Sequence, residues 1–336
     1  MRAVGIVATG SYLPKEEVGN EELAAAAGVT PEWILARTRI SSRRFAAAGE
    51  STADLAVRAA ERALDRIDPA ELGHVIVSTS TADTPQPPVS VTVQHAVGAT
   101  GAACFDVNAV CSGFVYGLAV ARDLVAESGR PVLVVAADVY SRILDFSDRR
   151  TAVLFGDGAG AAVVGPVPGP AHGPAQGSAQ GSAQGSAPGS APSGFLGFEL
   201  ASDGSRQGLI RVEDGFFRME GRQVKEFVLE RVPPALAALA ARHGHSLSDV
   251  DVFIPHQANG VLVTELAERA GLGGALMPRT VDRYGNVGSA SVAVTLDEAN
   301  RAGMVRHGDL VLLAGFGGGM AIGAGLLRWA AQEEER

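Results

Sequence analysis

Two cysteines are present, and Cys111 stands where a cysteine can act as a nucleophile. It follows the strand-like run CFDVNAV and opens a long helical pattern, with Ser112-Gly113 in the first turn. A helix N-terminus presents unpaired N–H groups and a partial positive charge. Both predict a lowered thiol pKa and a reactive thiolate. The small neighbours leave room for an acyl chain or a thioester. A buried structural cysteine is also common, and position alone does not separate the two readings. Cys104 sits at a strand start and is read as packing. His256 closes the apolar strand VDVFIP and opens HQAN, so it points into the crevice at a strand end, where ligands bind in open α/β sheets. Gln257 and Asn259 add polar groups at the same mouth, which sets His256 apart from the other six histidines. Asn286 lies in YGNVGSAS among small residues, where glycines permit close backbone approach. The run Gly315-Phe316-Gly317-Gly318-Gly319-Met320 follows the last strand with no βαβ unit behind it. A backbone N–H serving as an oxyanion donor fits it better than a nucleotide loop.

Other chemistries fit less well. Phe155–Gly160 (FGDGAG) lacks the Lys-Ser/Thr of a phosphate loop and is read as a structural turn. The sequence has no Cys-x-x-Cys, no His-Glu-x-x-His and no clustered acidic loop, so no metal is expected. No Gly-x-Ser-x-Gly elbow stands at a strand-to-helix turn.

Two similar series of elements must position these residues. A helix pattern over 52–67, the strand of ELGHVIVSTST, the strand CFDVNAV, the helix beginning at Cys111 and the strand PVLVVAAD form the first. A helix over 224–242, the strand of SDVDVFIPHQAN, the turn DRYGNVGSAS, the helix VAVTLDEANRAG and the strand DLVLLAGFGGG form the second. Laying Val75-Ile76-Val77 on Val252-Phe253-Ile254 matches Thr79 with His256. Cys111 then follows Thr79 by 32 residues, and Asn286 follows His256 by 30. The match predicts a duplicated α/β architecture with largely parallel sheets between helices; two ordinary α/β halves can also match by chance. The expected division is 1–164 with the nucleophile, a flexible low-complexity insertion at 165–194 with repeated Ala-Gln-Gly-Ser, and 195–336 with the histidine and asparagine.

The 336 residues are 46% hydrophobic and 19% charged, as in a globular core. A net charge of -9 argues against nucleic acid as a partner and leaves room for anionic small molecules at a local basic patch. Two cysteines are too few for a disulfide framework, so a cytoplasmic location is expected. The N-terminus is too short and glycine-rich for a signal peptide, and the apolar runs are too short to span a membrane.

At FDVNAVCSGFVYGL, FGDGAGA, IPHQAN, YGNVGSAS and GFGGG the chain resembles the β-ketoacyl-acyl carrier protein synthase III family of the thiolase superfamily, in the family's order and spacing. WILARTRISSRR is similar to the family's Trp-Ile-x-x-Arg-Thr-Gly-Ile segment, and the likeness covers nearly all of the chain except the insertion. The resemblance implies a thiolase-like α-β-α-β-α fold with two mixed five-stranded sheets. It implies that an acyl-CoA primes Cys111 and that malonyl-acyl carrier protein then condenses with loss of carbon dioxide, beginning a fatty acid or polyketide chain. His256 and Asn286 would donate to the malonyl thioester, and the N–H groups of Cys111 and Gly318 would form the oxyanion hole. Trp33 would stack on the CoA adenine, Arg37 and Arg149 would lie near its phosphates, and Asn259 would line the pantetheine arm. Gln86 falls where relatives place a phenylalanine that shapes the acyl pocket across the dimer. No cofactor beyond these thioester substrates is implied, and a homodimer is. Thiolases carry a further cysteine near the last glycines, where this chain has Met320.

Some positions depart from the family. Val261, Glu226 and Glu268 occupy places often basic for carrier-protein docking, and Arg39 replaces the usual glycine. These departures and Gln86 favour a second reading, an acyltransferase of the same fold acting on an alcohol or amine, whereas Asn286 favours condensation. A non-catalytic partner subunit is the third reading, and Cys111 opposes it.

Overall fold

The structure, a computed structural model, describes residues 3–167 and 193–330. The expected insertion falls mostly outside the described residues, and its first residues, 165–167, still belong to a strand. The first half begins with β1 (Ala3–Tyr12). A hairpin of β2 (Glu16–Gly19) and β3 (Ser42–Phe45) brackets α1 (Asn20–Ala24) and α2 (Pro31–Thr38). Then come α3 (Thr52–Ala63), β4 (His74–Ser78), α4 (Val89–Ala96), β5 (Ala103–Val107), α5 (Gly113–Ser128), β6 (Val132–Val139) and β7 (Asp157–Val167). The second half opens with β8 (Gly194–Ala201), a hairpin of β9 (Ile210–Glu213) and β10 (Phe216–Met219), and α6 (Gly221–Arg242). It continues through β11 (Val252–Pro255), α7 (Gly260–Arg269), α8 (Val281–Tyr284), α9 (Ala290–Arg301), β12 (Leu310–Gly317) and β13 (Ala321–Arg328).

The first sheet has the order β1-β7-β6-β4-β5 and the second β8-β13-β12-β11, so corresponding strands hold corresponding places. Both sheets are mixed rather than largely parallel. The β4–β5, β4–β6 and β11–β12 pairs are parallel, and the pairs made by β7 and β13 are antiparallel. β12 and β13 are joined by only Gly318–Met320, and so short a link permits only an antiparallel return. The second sheet has four strands among the described residues, not five. Leu276 takes the fifth place with a single bridge to Val252, because Gly273-Gly274 and Pro278 bracket a stretch too short for a ladder.

Strand alternation builds the expected five layers. Val75 and Val77 face α3 and α4, in a core with Leu55, Ala59 and Val93, while Ile76 faces the other way. On the second sheet Phe253 and Leu312 face α6 and α7, and Ile254 and Leu313 point inward. The inward residues of both sheets enclose α5 and α9, which supply Phe114, Leu118, Val292 and Leu296. Each such side chain contributes roughly 1.5–3 kcal/mol of burial. Strands covered on both faces read as continuous apolar runs, as β6 does from Val132 to Ala137. No helix among the described residues is long and apolar enough to cross a membrane.

Candidate active site

Cys111 sits on a tight turn just ahead of α5, not on the helix itself. Val110–Ser112 form a 3-10 turn, and Val110 holds φ at +46°. That left-handed geometry costs a β-branched residue roughly 1–3 kcal/mol. Strand β12 lies against the turn, and its alternate residues explain the glycine run. A Cβ on Gly315 would come 2.8 Å from Ser112 Cα, and one on Gly317 would come 2.8 Å from Cys111 Cβ and 2.9 Å from its Sγ. The next backbone N–H, on Gly318, favours the charged form of the sulfur.

The thiol is buried and is not a resting thiolate, contrary to the sequence expectation. Burial first, and the neighbouring Asp138 carboxylate second, push its pKa up to about 12. The backbone N–H groups and a Tyr140 hydroxyl hydrogen bond pull the other way and lose. A helix terminus is worth only about 0.3–1 kcal/mol, whereas desolvation of a charge can move a pKa by several units.

His256 follows the last residue of β11, as Thr79 follows β4. Its N–H donates to the Ala314 carbonyl at 2.6 Å, which fixes it beside β12, and its ring meets Phe316 edge-on at 5.4 Å. Burial lowers its pKa to about 3, so the imidazole is neutral. The polar neighbours expected at this mouth serve the scaffold. Gln257 donates to the Pro255 carbonyl and accepts from the Thr280 and Val281 N–H groups. Asn259 caps α7 by accepting from the Leu262 N–H at 2.8 Å.

Asn286 is held from both sides. Its N–H donates to the Leu154 carbonyl at 2.8 Å, and its own carbonyl accepts from Gly156 at 3.0 Å. Phe155 and Gly156 therefore brace this turn and Asp157 starts β7, instead of forming a turn of their own. The Asn286 Oδ1 accepts from the Gly288 N–H at 2.9 Å, which leaves the –NH2 as the group available to a ligand.

Asp138 and Tyr140 were not identified from the sequence. The Asp138 Oδ1 accepts from the Ser80 N–H at 2.8 Å and from the Thr79, Ser80 and Thr81 hydroxyls. Its Oδ2 accepts from the Ser289 N–H and hydroxyl at 2.8 and 2.7 Å. This carboxylate thereby ties the Asn286 turn to the end of β4, and Gly288 packs flat on it and on the Tyr140 ring. Tyr140 is buried, stacked on Phe155 at 4.6 Å, with its hydroxyl 2.9 Å from Ser80 Oγ. A carboxylate closing an otherwise apolar strand was the available signal.

The outer candidates lie elsewhere. Trp33 on α2 is half-buried with Arg149 5.9 Å over its ring, and Arg37 is exposed on the last turn of the same helix. Arg39 occupies the left-handed C-cap of α2 at φ +58° and donates to Thr264 Oγ1 on α7, so α2 and the helix capped by Asn259 are linked. Gln86 is exposed in the loop before α4 and is not brought to Cys111 within one chain.

Residues 105–182 match the model for 3-oxoacyl-[acyl-carrier-protein] synthase III, and residues 240–329 match the model for its C-terminal region. A β-ketoacyl-[acyl-carrier-protein] synthase III of Caldanaerobacter subterraneus subsp. tengcongensis is 39% identical, over 98% of each chain. The chain belongs to the synthase III family. Within it, the acetoacetyl CoA synthase NphT7 of a Streptomyces species is 45% identical over 96% of this chain and 98% of its own. The synthase III structure from Aquifex aeolicus superposes with a TM-score of 0.88 at 33% identity, covering 97% of this chain and all of that one. A priming β-ketosynthase of a polyketide pathway gives 0.86 at 35% identity, covering 97% and 96%. The fold is thiolase-like, and this synthase III is an acyl-transferring condensing enzyme.

Proposed function

We propose that Cys111 carries the acyl group and that His256 and Asn286 act on the second thioester. In priming, the sulfur attacks the carbonyl of an acyl-CoA, the acyl–sulfur bond to Cys111 forms, and CoA leaves as the thiol with the proton that Cys111 gives up. In condensation, a malonyl thioester loses carbon dioxide and its α-carbon attacks the acyl-Cys111 carbonyl. A 3-oxoacyl thioester departs, and the sulfur takes up one proton. A neutral His256 ring N–H and the Asn286 –NH2 stabilise the enolate oxygen. The N–H groups of Cys111 and Gly318 stabilise the tetrahedral oxyanions. The observation that carries this reading is the packing of Gly317 on β12 against the Cys111 sulfur, on the same strand whose Ala314 carbonyl holds His256.

Trp33, Arg37 and Arg149 bind the CoA nucleotide in this reading, and Asn259 lines the pantetheine passage between α2 and α7. The enzyme works in the cytoplasm as a homodimer. The β5 edge, with Phe105 and Val107 only half-buried, supports this, and Gln86 reaches an acyl pocket only from a second copy.

The acceptor is malonyl-acyl carrier protein in the first reading. Malonyl-CoA is the acceptor in the second. Glu226, Glu230 and Glu268 are exposed on α6 and α7, Val261 is uncharged, and Lys225 is neutralised by Glu265 at 2.5 Å. Exposed Arg222, 3.8 Å from Glu226, and exposed Arg231 and Arg269 balance these acids on the same helices, so it is the relative named acetoacetyl CoA synthase that supports malonyl-CoA. Labelled acyl-CoA should place its acyl group on Cys111, read by peptide mass spectrometry. Either malonyl thioester should then release carbon dioxide, and the ratio of kcat/KM for the two carriers selects between them. Acylation without carbon dioxide release from either would instead favour transfer to an alcohol or amine. No acylation by any acyl-CoA would overturn the proposal.

A further inference from the structure

Arg43 on β3 is wholly buried, at 0% exposure. Burial lowers its pKa to about 10, Glu22 pulls the other way, and the guanidinium stays charged at neutral pH. Among the described residues no carboxylate pairs with it. It donates to the Val18 carbonyl at 3.3 Å, to Asn20 Oδ1 at 2.9 Å and to the Val153 carbonyl at 2.8 Å, and its Nε has no partner there. A buried cation with no counter-ion destabilises a fold, and an apolar side chain of like volume fills such a space without that penalty. Packing alone therefore does not account for an arginine here.

What the guanidinium holds is the seat of Asn286. It takes the carbonyl of Val153, and the next carbonyl, of Leu154, accepts the Asn286 N–H at 2.8 Å. Gly156 returns a bond to the Asn286 carbonyl at 3.0 Å. The Arg43 stem lies against the same two places. A Cβ on Gly156 would come 3.0 Å from Arg43 Cβ, and one on Gly285, next to Asn286, would come 3.4 Å from it. The residues just before Arg43 grip the approach to the turn. The Ser41 N–H and hydroxyl donate to the Asp282 carbonyl at 2.8 and 2.6 Å, and the Ser42 hydroxyl donates to the Arg283 carbonyl at 3.0 Å. The turn is thus held at 282–286 from β3 and its neighbours, and at Ser289 by Asp138. We propose that Arg43 is a positioning residue for Asn286, setting its carboxamide for the condensation half-reaction. Its three bonds go to Val18, Asn20 and Val153 and none to Cys111 or His256, so acyl loading does not depend on it. The planar fork is what the task needs: Nη1 serves Val18 and Asn20 while Nη2 serves Val153. A lysine has one nitrogen and must give up one set.

This inference rests on the reading that Asn286 acts on the malonyl thioester, and the test separates the two. Loading of Cys111 by acetyl-CoA and carbon dioxide release from the malonyl thioester that the wild type uses faster are timed separately. The proteins are wild type, Arg43→Met, Arg43→Lys, Asn286→Ala and the two double variants, each with a circular dichroism melt. Arg43→Met keeps the bulk and removes the donors. A misplacement of about 1 Å costs roughly a hundredfold in rate, so kcat for carbon dioxide release should fall by about that factor. KM and acyl loading should stay within a few-fold of the wild type. Arg43→Lys should recover part of the loss, to about a tenfold deficit, because one set of bonds survives. In the Asn286→Ala background neither change at Arg43 should lower carbon dioxide release further, since the group being positioned is gone. A purely structural role lowers the melt and leaves kcat per folded molecule unchanged, or lowers both half-reactions alike. Either result overturns the inference, and so do losses that multiply in the double variants. Should Arg43→Met not fold, Arg43→Lys and its double variant decide by the same criteria. Equal losses of both half-reactions in Asn286→Ala itself defeat the underlying reading instead.

Discussion

Replacing Gly317 by alanine tests whether the last strand is the wall that sets the sulfur in place. The backbone there is extended, with φ at 165°, so the new methyl meets no conformational penalty of its own. It does meet Cys111, at 2.8 Å from Cβ and 2.9 Å from Sγ. Carbon atoms in contact sit about 3.5–4.0 Å apart, so either the strand or the cysteine must retreat by about 1 Å. Overpacking of this kind costs about 1–3 kcal/mol, which lowers the melting temperature by several degrees. Misplacing a reacting atom by about 1 Å costs about a hundredfold in rate. Acyl loading of Cys111, timed by intact mass after mixing with acyl-CoA, should therefore slow about a hundredfold in Gly317→Ala. Gly273→Ala is the control, because a Cβ there has nothing within 4 Å, and it should load like the wild type. Loading at the wild-type rate by Gly317→Ala, with an unshifted melt, would refute the placement of the thiol against this strand.

Asn286→Ala should load acyl groups within a few-fold of the wild type and lose roughly a hundred- to a thousandfold in carbon dioxide release; equal losses in both half-reactions would refute the division of roles. His256 should make the protein acid-labile. Its folded pKa, about 3, lies below the unfolded value of 6.5, so the unfolded chain binds the proton first. The stability it contributes is complete above that unfolded value and is lost as pH falls toward the folded one, at up to about 1.4 kcal/mol per pH unit. Urea midpoints measured from pH 7 to 4 should drop more steeply in the wild type than in His256→Gln, and parallel curves would count against the buried neutral imidazole. Arg39→Gly should raise stability by about 1 kcal/mol. Relief of the left-handed residue, about 1–2 kcal/mol, exceeds the loss of an exposed hydrogen bond to Thr264; a lowered denaturation midpoint would refute this balance.

The sequence alone singled out Cys111, His256 and Asn286 as candidates and showed the two-fold repetition of the elements that carry them, but not Asp138 or Tyr140. Apolar runs buried on both faces, the match of Thr79 with His256, and a cysteine ahead of a helix are local patterns, and local patterns survive in the order of residues. The mixed direction of the sheets and the reduction of the fifth strand to Leu276 were not legible, because strand direction and ladder length depend on which neighbour each strand finds. The ionisation state of Cys111 was misjudged for the same reason. A helix N-terminus is visible in sequence, but the loss of water around the sulfur and the approach of Asp138 arise only when β6 is brought up against the 3-10 turn. The glycines at 315 and 317 show the division most plainly. Their presence is written in the chain, while the reason for it, a thiol less than one methyl group's width away, exists only once β12 has folded against Cys111.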